Sequence, residues 1–336
     1  MLKGAIIGTG FWSHYQVAAW KELQGVEIVA GYNRTVSKAK TWATKFNIPA
    51  VYDDVQLLLN NEQLDFVDII TDVDTHCSFT LMAAEKGINI ICQKPMAASP
   101  DVAKKMVETC KENKVQLFIH ENFRWQAPIR AVRETLNSGI IGKPFKATVS
   151  FCSAFPVYDN QPFLAETEHF ILTDIGSHVL DVCRFLFGEA QSLYCITHRV
   201  NEKIKGEDVA NVMMQMKSGL HCIVQLSYAS ILEKESFPQT LILIEGENGS
   251  IHLTNDFELK ITSKKRTTSA IVNAKTYSWV DPDYAVVHSS IVDCNRDILN
   301  GLMGGSCETT GDDNLKTVQL VWAAYEAAAK QKVITI

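Results

Sequence analysis

The chain has 336 residues, too many for one ordinary hydrophobic core and suited to two domains. Hydrophobic residues make up 46% and charged residues 21%, which excludes a disordered chain. The net charge of -6, without a basic stripe, excludes a protein that neutralises nucleic-acid phosphates, and the short run Lys264–Arg266 reads as a solvated turn.

Strand and helix periodicities alternate over the first 120 residues. Apolar runs at Gly4–Ile7, Val26–Gly31, Phe66–Thr71, Ile88–Cys92 and Gln116–His120 predict buried parallel strands. Helical patterns lie between them at Ser13–Leu23, Val36–Phe46, Asp54–Asn60, Thr75–Lys86 and Ser99–Asn113. The last opens on Ser99-Pro100-Asp101, a start signal with proline early in the helix. This rhythm predicts a doubly wound α/β sheet, a Rossmann-type domain over residues 1–122. From 123 to 336 an α+β domain with a large, mainly antiparallel sheet is expected. Its helices are predicted at Pro128–Ser138, Asp174–Phe187 and Asp313–Lys330. Its strands are predicted at Lys146–Cys152, Ser192–Val200, Ala210–Met216, His221–Ser227, Thr240–Glu245, Ser250–Leu253, Glu258–Thr262 and Ala274–Trp279. The run Met213–Met216 is expected to be core strand.

Nine cysteines, an odd number with no CxxC spacing, argue against a zinc site or a disulfide framework. Reduced thiols, a cytoplasmic location and no metal ion are expected. No signal-type segment and no transmembrane span are expected either.

The first strand runs into Gly8-Thr9-Gly10-Phe11-Trp12-Ser13, a G-x-G-x-x-S turn that opens a helix. The first glycine permits the tight turn and the second lets backbone approach a pyrophosphate. The third position needs only a small residue. The helix start presents free N–H groups and its positive dipole end to the phosphates. A dinucleotide cofactor is therefore expected, held by Gly8, Gly10, Phe11 and Trp12. After the second strand, where an acidic residue would hold the ribose of NAD, stand Asn33 and Arg34. Asparagine still serves a hydroxyl, and arginine suits a 2′-phosphate or stacks on the adenine. The cofactor is NAD or NADP, with a slight lean to NADP.

Two further motifs carry the chemistry: Gln93-Lys94-Pro95 after the strand Ile88–Cys92, and Asp174-Ile175-Gly176-Ser177-His178, with Asp181 beyond. Together with Thr71 and His76, Asn122-Phe123-Arg124 and Gly139-Ile140-Ile141-Gly142-Lys143-Pro144, they make the chain resemble the Gfo/Idh/MocA oxidoreductases nearly throughout. Ile91–Pro95 and His120–Gln126 also resemble the apiose-dehydrogenase branch of that family. The resemblance implies that Lys94 contacts the reacting hydroxyl and the nicotinamide ribose, that His178 is the general base, and that Asp174 works beside it. It adds Thr71, His76 and Gln93 to the cofactor contacts. It further implies a homodimer or homotetramer formed through the open sheet. Gln93 departs from the glutamate of the family's E-K-P motif, and Asp72 from its proline.

The chemistry suits these residue types. Oxidising an alcohol by hydride transfer requires a base for the hydroxyl proton, and histidine titrates near neutrality. Developing charge on oxygen requires a compact donor, which lysine supplies. Asp174 and His178 stand one helical turn apart, so Asp174 either orients the imidazole or binds a neighbouring hydroxyl. Glu121, Arg124 and Asp159 are expected to contact a small sugar or polyol, with Arg124 equally suited to a structural ion pair. Phe155, Tyr158 and His169 are further candidates for the pocket wall. The expected activity is NAD(P)-dependent oxidation of such a substrate, with an aldose giving a lactone. The alternatives are a non-catalytic dinucleotide sensor or regulatory protein, and a reductase or transferase-like family member that recycles tightly held cofactor.

Overall fold

The computed structural model describes residues 1–336, with the side chain of Asn160 outside the described set. The first part of the chain runs β1 (Leu2–Ile7), α1 (Phe11–Lys21), β2 (Val26–Tyr32), α2 (Val36–Phe46), β3 (Ala50–Tyr52), α3 (Val55–Asn61), β4 (Phe66–Ile69), α4 (Val73–Glu85), β5 (Asn89–Gln93), α5 (Pro100–Glu112) and β6 (Leu117–His120). Its six strands are parallel in the order β3-β2-β1-β4-β5-β6. The order reverses between β1 and β4, which opens a ligand crevice beyond their C-terminal ends. Helix starts follow local chemistry. Asp54 accepts from the Leu57 N–H, and Ser99 from the Val102 N–H with Pro100 in the first turn.

Continuing, the chain forms α6 (Ala127–Asn137), β7 (Pro144–Cys152), α7 (Val157–Asn160), α8 (Ile175–Phe187), β8 (Ala190–His198), β9 (Val209–Met216), β10 (His221–Ser227), β11 (Leu241–Gly246), β12 (Gly249–Leu253), β13 (Glu258–Ser263) and β14 (Thr267–Ile271). Helices α9 (Ala285–Leu302) and α10 (Gly311–Lys330) and the short β15 (Ile334–Thr335) complete it. The second sheet has nine strands in the order β14-β13-β12-β11-β7-β10-β9-β8-β15, with only β7 and β10 parallel. Period-2 alternation sorts β9: Ala210, Val212, Met214 and Met216 are buried, while Met213 on the opposite face is 55% exposed. The methionine run is therefore core on one face only. Helix α8 packs on β7 and β10, and α6 on β12 and β13. By packing there are two units, Met1–Asn122 with Thr276–Val318, and Phe123–Lys275 with Gln319–Ile336.

Among the elements that differ from expectation, two have a cause in packing. Ala274–Trp279 alternates as a strand does but pairs with nothing. Tyr277 and Trp279 stack on each other, pack on a cluster of Ala19, Ile291 and Val292, and Trp279 donates to Glu22 at 2.9 Å. Packing of two aromatic rings on helices, not ladder pairing, set that alternation. Helix α9 has no counterpart among the predicted elements; its serines, histidine and asparagine are buried, so polar residues break the apolar stripe that would announce it.

One core residue of β4 is a carboxylate. Asp68 is fully buried and accepts from Gln16 Nε2 and Trp20 Nε1. Burial pushes its pKa up to about 7, against the downward pull of those donors. The folded protein thus holds this proton to higher pH than the unfolded chain does. Its contribution to stability is full below about pH 4 and is lost as pH rises through about 7. Between those values the unfolding free energy of the wild type should fall relative to Asp68→Asn by about 4 kcal/mol, at 1.36 kcal/mol per unit. Urea melts of the two proteins check this, and parallel pH profiles would contradict it.

Candidate active site

The turn after β1 has the shape of a phosphate cradle. Gly8 sits at φ 110°, and a Cβ there would lie 2.6 Å from the Ile70 carbonyl oxygen. Gly10 caps α1 with no side-chain bond, and a Cβ on it would meet nothing within 4 Å. The first turn of α1 holds no acidic residue to offset the positive end of the helix dipole. Ser13, at the third position of the motif, is buried and donates to the Gly10 carbonyl at 2.6 Å. It closes the turn as well as fitting it. These features suit the pyrophosphate of a dinucleotide. Phe11 is exposed and meets Trp12 edge-on, with ring centroids 5.4 Å apart.

At the end of β2 the Asn33 amide is engaged at both ends. It donates to Thr9 Oγ1 at 2.9 Å and accepts from the Thr35 N–H at 2.9 Å. Arg34 beside it is exposed.

Lys94 is half-buried and follows β5. Its backbone N–H donates to Gln93 Oε1 at 2.8 Å, and its peptide to Pro95 is cis. His76 is buried between two carbonyls, with Nδ1 3.1 Å from Pro95 O and Nε2 3.0 Å from Thr71 O. It thereby joins the loop after β4 to the Lys94 loop. Burial lowers its pKa against the pull of those carbonyls. A neutral ring donates to one carbonyl at a time. His76 is thus engaged at both ring nitrogens and links the two loops. Asp72, in the family's proline position, has φ -68°, the value proline would impose, so this departure leaves the backbone path unchanged. Glu121, expected at the sugar, is fully buried just beyond β6.

In the second unit Asp174 is the N-cap residue of α8 without capping it by its side chain. Its Oδ2 instead accepts from the Tyr228 hydroxyl at 3.0 Å. His178, one turn on, is buried and lies flat on Phe123, with centroids 3.9 Å apart and planes 11° apart. Aromatic contacts continue from Phe123 to Phe151, Tyr228, Phe170 and Tyr158. The enclosed Tyr158 hydroxyl has no hydrogen-bond partner among the described residues. Burial first, then the Asp208 and Asp174 carboxylates, pushes its pKa up to about 12, so it stays a donor at neutral pH.

Of the two roles expected for Arg124, the structural ion pair is present. Its Nε and Nη2 bond both oxygens of the fully buried Asp181, at 2.8 and 2.6 Å. The two-pronged edge of the guanidinium is thus taken up within the unit. Asp159 is exposed on the short α7. Phe155 stacks on Phe237, and His169 packs on Trp322 and Tyr325. Sequence reasoning missed Tyr228 and the stacking role of Phe123. Phe123 lay inside a motif already singled out, whereas Tyr228 directly after β10 carries no local signal. Tyr228→Phe leaves Asp174 Oδ2 without this donor, so kcat/KM should fall by about ten- to a hundredfold, from the 1.5–3 kcal/mol of a charge-assisted bond. Steady-state kinetics check it, and an unchanged value would remove Tyr228 from the site.

Residues 2–121 match the oxidoreductase family with an NAD-binding Rossmann fold, and residues 129–252 match the GFO/IDH/MocA C-terminal domain. The chain belongs to the Gfo/Idh/MocA oxidoreductase family. Within that family it is 42% identical to a D-apiose dehydrogenase of Rhizobium rhizogenes over all of this chain and 97% of the relative. It is 41% identical to a D-apiose dehydrogenase of Paraburkholderia graminis, over 99% of this chain and 89% of that one. An oxidoreductase of Agrobacterium radiobacter, solved with NAD+, L-tartaric acid and magnesium, is 42% identical with a TM-score of 0.97. That match covers 99% of this chain and 98% of the other. Like its family, the chain is an NAD-binding oxidoreductase of the sugar dehydrogenase type. Among the described residues no helix is long and apolar enough to cross a membrane, and no group of three or more potential ligands is placed to hold a metal ion.

Proposed function

We propose that this protein oxidises the anomeric hydroxyl of D-apiose, or an aldose very like it, to the lactone with NAD+. The observation that carries the reading is identity above 40% to two D-apiose dehydrogenases along the whole chain. The dinucleotide, when bound, supplies the acceptor for the hydride that leaves the anomeric carbon. The chain supplies the rest. His178 takes the hydroxyl proton, and the flat face of Phe123 fixes the plane of its ring. Lys94 donates to the reacting oxygen as negative charge grows there. Asp174, steadied by Tyr228, accepts from a neighbouring sugar hydroxyl, and Tyr158 donates to another. Gly8, Gly10 and the α1 N-terminus hold the pyrophosphate, with Phe11, Trp12 and Thr71 beside it.

The cofactor assignment draws on two opposing facts. Arg34 is the exposed cation at the end of β2, which favours a 2′-phosphate. The Agrobacterium relative, solved with NAD+, is the stronger support, so NAD+ is the working cofactor and Arg34 leaves NADP+ admissible. Arg34→Ala should lower kcat/KM for NADP+ by about tenfold or more, the loss of one charge-assisted contact, and spare NAD+. Equal loss with both cofactors would mean that Arg34 stacks on the adenine.

Nine cysteines, an odd number with no CxxC spacing, support a reducing compartment and hence a cytoplasmic location. The sheet face carrying Ile196, Met213 and Ile223 is the surface through which copies associate as a dimer or tetramer.

The activity is tested by absorbance at 340 nm with NAD+ or NADP+ and a panel of D-apiose, other aldoses and inositols. D-apiose should give the highest kcat/KM. Turnover confined to an inositol would replace the anomeric hydroxyl with a ring alcohol as the reacting group.

A further inference from the structure

Gln93 stands where the family's motif has glutamate, and the buried contacts behind it show what that exchange does. Gln16 Nε2 donates to Asp68 Oδ1 at 2.7 Å and Oδ2 at 2.8 Å. Gln16 Oε1 accepts from Gln93 Nε2 at 2.9 Å. Gln93 Oε1 in turn accepts from the Lys94 N–H at 2.8 Å. Trp20 Nε1, which can only donate, reaches Asp68 Oδ2 at 2.9 Å. Asp68 and Gln16 are buried.

An amide side chain has one donor end and one acceptor end. The direction of this chain is therefore fixed at both termini. Above about pH 7 the carboxylate of Asp68 is ionised and only accepts, and the backbone N–H only donates. Turning over either glutamine sets donor against donor or acceptor against acceptor, which is costly out of water. We propose that Asp68, Gln16 and Gln93 are positioning residues that form a one-way hydrogen-bond chain fixing the Lys94 peptide and aiming its ammonium at the reacting oxygen. The inference rests on the role of Lys94 given above. His76 holds the other side of the same loop through the Pro95 carbonyl.

The fixed direction of the chain makes an unusual demand on variants. In Gln93→Glu the carboxylate faces the acceptor end of Gln16, and Gln16 cannot turn over because Asp68 also accepts. In Asp68→Asn, with the amide oxygen kept toward Trp20, the new amide nitrogen takes the place of Oδ1 and turns the 2.7 Å bond to Gln16 Nε2 into a donor–donor contact beside the remaining bond at the Oδ2 position. Turning over Gln16 and then Gln93 only moves the conflict to the Lys94 N–H. Combining the two substitutions removes it. The amide now at position 68 donates to a turned Gln16, and Gln16 donates to the carboxylate now at position 93. That carboxylate still accepts from the Lys94 N–H, and the amide at position 68 keeps its oxygen for Trp20.

The experiment is steady-state kinetics at about pH 9, where Asp68 is ionised, on purified full-length protein with D-apiose and NAD+, for the wild type, the two single variants, the double variant and Lys94→Ala. Each single variant should lose about tenfold in kcat, the scale of a misplaced catalytic group, with KM for NAD+ within about threefold. The double variant should return kcat to within about threefold of wild type, a reciprocal rescue of the kind a double-mutant cycle isolates. A double variant that merely multiplies the two losses overturns the proposal. So does full kcat in Gln93→Glu. Thermal melts recorded alongside separate aim from stability, since kcat must recover whatever the melting temperature does. Wild-type turnover in Lys94→Ala would instead remove the role of Lys94 on which the chain depends. If circular dichroism shows that the Asp68 variants do not fold, Gln93→Met cuts the last link alone. It should lower kcat about tenfold at unchanged KM for NAD+, and unchanged kcat overturns the proposal.

Discussion

His178→Asn is expected to lower kcat by about a thousandfold, within the 10²–10⁴ that a positioned general base contributes. Asparagine keeps polarity and lies flat against Phe123, but it has no basic nitrogen for the hydroxyl proton. The Phe123 stack makes the effect specific, since it fixes the ring plane at 11° and leaves the imidazole little freedom to compensate. Binding of NADH, read by its fluorescence, should stay within about twofold, since no dinucleotide contact is assigned to His178 and uniform binding is separable from kcat. Lys94→Ala should show the same pattern with a smaller loss in kcat, about a hundredfold, for one lost donor to the developing charge. Equal turnover by His178→Asn and the wild type would leave this chain without its base.

The second large effect is on stability. Arg124→Met should cost about 1.5–3 kcal/mol, the loss of a hydrogen bond between charged groups. Asp181 is fully buried, and the pair is bidentate. Arg184 Nη1 stands 3.6 Å from Asp181 Oδ1, too long for a strong replacement bond, and bonds Glu189 instead. Arg124→Met with Asp181→Leu should recover most of the loss, because an apolar pair of similar volume removes both desolvation penalties. Denaturant unfolding measures both. A single variant within about 1 kcal/mol of wild type, the surface salt-bridge range, would mean that water reaches Asp181.

The sequence told much about the first sheet, because buried parallel strands are continuous apolar runs and Gly8 and Gly10 punctuate them. Ser13 read as a tolerated small residue, yet its bond to Gly10 shows why serine serves. Alternation also revealed most of the second sheet, but not β14, whose residues are all exposed and carry no burial pattern. Tyr277 and Trp279 misled because two rings packing on helices leave the same spacing as a strand face. Of the residues proposed for the site, Lys94, Asp174 and His178 were visible through motifs. Tyr228 and the Asp68–Gln16–Gln93 chain were not, since partners 52 to 77 residues apart meet only once the sheet has formed. Arg124 was legible as important but not as to purpose, because guanidinium suits a sugar and a carboxylate equally.

The central claim is that hydrogen leaves the anomeric carbon of an aldose for NAD+. The most direct measurement uses D-apiose deuterated at C1 and follows both products by NMR. The account predicts one deuterium at C4 of the reduced nicotinamide for each lactone formed, and a slower rate than with the unlabelled sugar. Reduced nicotinamide that carries no deuterium would contradict it.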